Sequence, residues 1–174
     1  MLGLNKDIVR LVPHEDDWHL EYEKERKILE KVMAGYALDI QHVGSTSLPG
    51  ISAKPILDIA VAVKDKKALE ELIPIMTDAG YDVKNSIDDL GEILARKGTP
   101  DCRTHYIHIE VLGSEFWNDH ILFRDYLLNH PEYISEYEKV KVDAFNHFKD
   151  ERKKYTSAKN DFIQKILKLA QDEK

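Results

Sequence analysis

The segment Ile56–Val63, Ile-Leu-Asp-Ile-Ala-Val-Ala-Val, is apolar except for Asp58. A run this short falls well below the roughly 20 residues of a membrane helix. Turn-forming residues before it and charged residues after it mark it as a strand. Side chains on a strand alternate, so Leu57, Ile59, Val61 and Val63 form one aliphatic face, which is core. Ile56, Asp58, Ala60 and Ala62 occupy the other face, where the small side chains leave space above the sheet. An unpaired buried carboxylate is expensive and needs a cation or several donors. Asp58 is therefore expected to line a cavity.

The rest of the chain fits around this strand. Trp18, Tyr22, Leu29, Val32 and Met33 fall among charges at amphipathic-helix spacing between Pro13 and Gly35. Leu38–Val43 reads as a strand, Ala68–Ala79 as a helix stopped by Gly80, and Tyr81–Lys84, Gly91–Lys97 and Tyr106–Leu112 as short strands. A loop with Pro100 joins the last two. From Ser114 the pattern turns helical, over Ser114–Asn129, Pro131 to about Lys149 and Thr156–Ala170, with Lys149–Lys154 as a charged turn. The order predicts an α/β (α+β) fold: a mixed sheet with flanking helices in about 1–113, then a helical C-terminal part in about 114–174, as one domain over 1–174.

Charge and cysteine usage narrow the function classes. With 25 Lys+Arg against 32 Asp+Glu, the formal net charge is -7, which argues against a nonspecific nucleic-acid binder. Cys102 is the lone cysteine, so no internal disulfide or Cys-based zinc site can form, and it is read as incidental. The N-terminus lacks a signal-type apolar core, so the expectation is a cytoplasmic protein with no membrane association.

If the strands Ile56–Val63 and Tyr106–Leu112 are neighbours, Asp58, His108 and Glu110 share one open face where oxygen ligands could hold Mg²⁺. The competing reading is that Asp58 is satisfied by backbone while His108 and Glu110 face water. His105 falls on the aliphatic side. Gly44-Ser45-Thr46 follows a strand and exposes hydroxyls and N–H groups that can grip phosphate, although Gly and Ser also mark ordinary turns. Lys54 would add a cation nearby. Arg124 and Lys159 sit on apolar helix stripes, either snorkelling to water or, with Arg103 and Lys54, forming an anion pocket.

His42-Val43-Gly44-Ser45-Thr46-Ser47-Leu48-Pro49-Gly50 and Ala53-Lys54-Pro55-Ile56-Leu57-Asp58-Ile59 closely resemble the signature of the GrpB-like family. The likeness continues through Arg103-Thr104-His105-Tyr106-Ile107-His108-Ile109, Phe123-Arg124-Asp125-Tyr126-Leu127, His130-Pro131, Tyr155 and Lys159, covering nearly the whole chain. This resemblance implies the nucleotidyltransferase fold superfamily. There a Gly-Ser pair holds triphosphate and several acids hold two Mg²⁺ ions for in-line transfer at phosphorus. Gly44-Ser45 and Asp58 fit that layout. Ala60 stands where the usual second acid would be, and Glu110 is the candidate for an acid from a later strand.

The resemblance thus implies a phosphate- and substrate-binding set of Gly44, Ser45, Thr46, Lys54, Arg103, His105, Arg124 and Lys159. The shared strand face supplies the rest of a catalytic set of Asp58, Glu110 and His108, with Asp58 and Glu110 on Mg²⁺. Three functions follow as expectations. The first is a Mg²⁺-dependent nucleotidyltransferase-like protein acting on a nucleotide or another phosphorylated ligand. The second is a catalytically inactive phosphate-ligand-binding or regulatory module. The third is an interaction protein, linked to dephospho-CoA kinase, to which family members are sometimes fused.

Overall fold

The computed structural model describes residues 1–83 and 91–173. Helix α1 (Asp17–Val32) leads into strand β1 (Asp39–Val43), a 3₁₀ turn over Ser45–Ser47, and strand β2 (Leu57–Val63). Helix α2 (Lys66–Asp78), capped by the Asp65 carboxylate on Ala68 N–H at 2.9 Å, crosses over to β3 (Asp82–Val83) and the hairpin β4 (Ile93–Thr99)–β5 (Cys102–Val111). Helices α3 (Glu115–Asn129), α4 (Pro131–Phe148), α5 (Arg152–Ser157) and α6 (Asn160–Asp172) complete the chain.

The five strands form one mixed sheet in the order β1-β2-β5-β4-β3. β2 and β5 are parallel, and the remaining pairs are antiparallel. The alternation read from the sequence is realised. Leu57, Ile59, Val61 and Val63 pack with Ile107, Ile109 and Ile93 against Trp18, Leu29, Leu72 and Met76 of α1 and α2. On the opposite face Trp117 of α3 lies on Val43, Ala60 and Ala62, which are small enough to let the indole close on the sheet. A second cluster of Leu48, Ile51, Phe123, Leu127, Tyr137, Phe162 and Ile166 joins the loop before β2 to α3, α4 and α6.

Differences from the expected elements are local. Arg152–Ser157 is helical, so part of the expected charged turn is α5, and the last helix starts at Asn160 rather than Thr156. Aromatic burial explains this: Tyr155 is 1 % exposed, packed with Val9 and Ala144, which pulls the short segment onto the body. The expected strand Tyr81–Lys84 is seen as Asp82–Val83, and Lys84 lies outside the described residues. Among the described residues no helix is long and apolar enough to cross a membrane.

Candidate functional site

The open face of β2 looks into a cavity of about 330 Å³ roofed by the C-terminal helices. Its floor is Asp58 and His108, one wall is Gly44, Ser45 and Thr46, and Lys54 enters from the segment before β2. Helices α3 to α6 supply Phe116, Asp119, His120, Phe123, Tyr137, Tyr155, Ile163, Gln164 and Leu167, while Lys159 comes from the α5–α6 junction.

Local chemistry dictates each placement. Gly44 has φ of 70°, and a Cβ there would lie 2.7 Å from Asp58 Oδ2 and 3.0 Å from its Cβ, so only glycine lets this turn press against the carboxylate. Ser47 Oγ donates to Gly44 O at 2.6 Å and closes the turn, while Ser45 Oγ meets Tyr137 Oη at 3.2 Å. Thr46 Oγ1 is 2.9 Å from His42 Nε2, and the His42 ring stacks on Tyr22 with centroids 4.8 Å apart. Burial pulls His42 down to about pKa 4, so it is a neutral packing group.

Charge in the cavity is arranged around two centres. The first is His108, whose Nδ1 lies 2.6 Å from Glu92 Oε1 and whose Nε2 lies 3.4 Å from Asp58 Oδ1. Burial works to lower its pKa, but hydrogen bonds to Asp58 and Glu92, with their charges, raise it to about 10. His108 is therefore an imidazolium at neutral pH. Burial correspondingly pushes Asp58 up, but the His108 hydrogen bond and charge, then Lys54, hold it below the usual carboxylate range. The second centre is the Tyr155 ring, with Lys159 Nζ 4.5 Å and Lys54 Nζ 5.7 Å from its centroid. Burial, then Lys159 and Arg152, depress Lys54 to about 7; burial, with Arg152 and against Asp58, depresses Lys159 to about 8. Among the described residues neither lysine makes an ion pair.

Of the residues singled out from the sequence, the cavity brings together Gly44, Ser45, Thr46, Lys54, Asp58, His108 and Lys159. Arg103 and His105 are separated from it. His105 shares the parity of Ile107 and so lies on the α1–α2 side, its Nδ1 2.9 Å from Thr104 Oγ1, whereas Arg103, beyond the register shift at Lys97 and Gly98, donates to Gly98 O and pairs with Asp82. Arg124 is spent on the β1 edge, donating to Gln41 Oε1 at 2.8 Å and His42 O at 2.9 Å and pairing with Asp125.

Asp58 and Glu110 do share a face, yet they do not form a metal pair. Asp58 is opposite Tyr106 and Glu110 is opposite Ala62. Four residues at roughly 3.3 Å each put them about 13 Å apart along the sheet. That exceeds the reach of the two side chains around one Mg²⁺ bonded at about 2.1 Å.

Tyr137, Tyr155, Asp119 and His120 are among the lining residues that the sequence left without a site role. A signal existed for one set: Phe116, His120 and Phe123 are spaced i, i+4, i+7, one face of α3.

The fold and cavity define a mixed α/β protein with a five-stranded sheet whose polar face is enclosed by its own C-terminal helices. The family model for GrpB protein matches residues 8–169, and the chain belongs to the GrpB family. It is 36% identical over 171 residues to the Glutamate-rich protein GrpB of Alkalihalophilus pseudofirmus, covering 96% of this chain and 98% of that one. The crystal structure of conserved protein GrpB from Enterococcus faecalis superposes with a TM-score of 0.85 at 30% identity, covering 94% and 98% of the two chains. A more distant likeness, 26% over 194 residues, is to a dephospho-CoA kinase of Mycolicibacterium paratuberculosis, of which it spans 46%.

Proposed function

We propose that the cavity binds a small phosphorylated ligand, a nucleotide or a smaller phosphate ester. The observation that carries this reading is the pair Lys54 and Lys159, held over Tyr155 with no carboxylate in ion-pair range among the described residues. Burying two ammonium groups side by side is costly, and an anion between them removes that cost. His108 faces the carboxylates of Asp58 and Glu92, and of the lining side chains Lys54 and Lys159 are the cations set against Asp119. Ser45, Thr46 and the N–H groups of their turn supply further donors, and Tyr155 offers an aromatic edge to a base or ring. A cavity of about 330 Å³ is at the small end of ligand sites, which favours a compact ligand. The partial likeness to a dephospho-CoA kinase supports a phosphorylated small molecule as occupant and a link to that kinase as a protein partner.

One feature favours a second reading, that of a nucleotidyltransferase-like enzyme: the Gly44-Ser45 turn abuts Asp58, as the resemblance implies. The acids do not fit the two-Mg²⁺ arrangement, since Ala60 occupies the second position and Glu110 lies too far along the sheet. Binding is therefore the function that this geometry supports best.

Calorimetric titration with ATP, GTP, CTP, UTP, dephospho-CoA and inorganic phosphate, each with and without Mg²⁺, tests this function. Binding without metal is expected. Lys54→Met and Lys159→Met should each weaken it about 10- to 100-fold, as for loss of a charge-assisted hydrogen bond of roughly 1.5–3 kcal/mol. Folded protein that gives no heat with any of these ligands overturns it.

A further inference from the structure

Beyond the cavity's lysines, its floor carries a second constellation. One ligand atom each from His108, Glu110 and His120 lies within 4.8 Å of the others, and the two imidazole centroids are 4.9 Å apart. Glu110 is 1 % exposed; His120 Nδ1 meets its Oε2 at 3.3 Å and lies 3.2 Å from its Oε1, which accepts no hydrogen bond among the described residues. A buried carboxylate oxygen without a donor demands a positive partner. We infer that His108, Glu110 and His120 form a site for a divalent first-row transition cation of the Zn²⁺ class.

Donor chemistry selects that class. Two imidazoles and one carboxylate suit Zn²⁺, Co²⁺ or Ni²⁺, whereas Mg²⁺ requires oxygen ligands. Bonds of about 2.0–2.1 Å place tetrahedral ligands about 3.4 Å apart, so a modest closing of the side chains completes the shell. The outer shell is already present. Glu92 accepts from His108 Nδ1 at 2.6 Å, the arrangement that metal-binding histidines commonly have, and leaves Nε2, 3.4 Å from Asp58 Oδ1, as the nitrogen to bind the ion, with Asp58 beside it. His108 and His120 both line the cavity, so a fourth position opens onto it for water or a ligand oxygen. The cation takes the place of the proton on His108. This site does not depend on the anion reading, because it uses neither lysine.

Full-length, EDTA-stripped protein carrying Cys102→Ser, which removes the exposed thiol, is titrated with Co²⁺ by visible absorption and with Zn²⁺ by calorimetry. The expected result is about one ion per chain with millimolar Mg²⁺ failing to compete. His120→Ala and Glu110→Gln should each weaken binding about tenfold or more and reduce the Co²⁺ ligand-field band, whereas His147→Ala, an exposed histidine of α4, should not. Circular dichroism of each variant checks folding, and half-exposed His120 makes His120→Ala the decisive one. No Co²⁺ binding by the folded parent, or His120→Ala binding as tightly as the parent, overturns the site. Phosphate titration of the stripped protein reads the lysine pocket separately.

Discussion

Lys54 and Lys159 are the residues through which pH enters. Their folded pKa values lie below the ordinary lysine value, at about 7 and about 8, chiefly because of burial. In the ligand-free protein the unfolded chain holds these protons more tightly, so the penalty is complete below pH 7 and relieved as pH rises toward 10.5. An anion reverses the preference by favouring the protonated lysines. Affinity for inorganic phosphate or ATP is therefore expected to fall as pH rises from about 7, where the free lysines begin to lose their protons, toward their bound-state values, with proton uptake on binding near pH 8. Calorimetry in buffers of different ionisation enthalpy measures that uptake; none at pH 8 would contradict the role given to the lysines. Gly44 bears on the same wall. Gly44→Ala combines a φ of 70° with a Cβ 2.7 Å from Asp58 Oδ2. It should cost about 1–3 kcal/mol in urea unfolding and weaken ligand binding in parallel.

Strands β2 and β5 place the chemistry, and their pairing sets what substitutions can do. Ala60 is fully buried, opposite His108 and beneath Trp117. Ala60→Asp therefore inserts a carboxylate where an indole closes on the sheet. It should destabilise by about 2–4 kcal/mol in denaturant titration, without conferring Mg²⁺ binding. Much of these strands is legible in the sequence, because period-two alternation states which residues share a face: Asp58 with Ala60, His108 with Glu110, and His105 apart from both. Arg103 is held at the β4–β5 register shift by Gly98 O and Asp82, apart from the grouping that family resemblance suggests. Register was not legible, since nothing local states that Glu110 pairs with Ala62 rather than lying beside Asp58. Nor was α5, whose Arg152–Ser157 segment is too short and too charged to show a period. Its position follows from burial of Tyr155, a contact with Val9 at the other end of the chain.

At the scale of the molecule, the acidic net charge of -7 surrounds a cavity whose unpaired cations come from distant stretches of chain. This is why the sequence suggested a converging set of cations without showing which of them converge. Arg124 and Arg103 looked equivalent to Lys54 and Lys159 until the helices were in place. The cavity's walls come from β1's exit turn, β2, β5 and every helix from α3 to α6. Whatever fills it acts as a keystone, fastening the roof to the sheet beside the contacts that Trp117 and Phe123 already make. An occupant at a hundred times its Kd adds about 2.7 kcal/mol to the folded state, roughly 5 to 10 °C in Tm. Amide exchange should slow together in α3, α5 and α6, so a melting curve read against a metabolite collection can find the natural guest before any reaction is known.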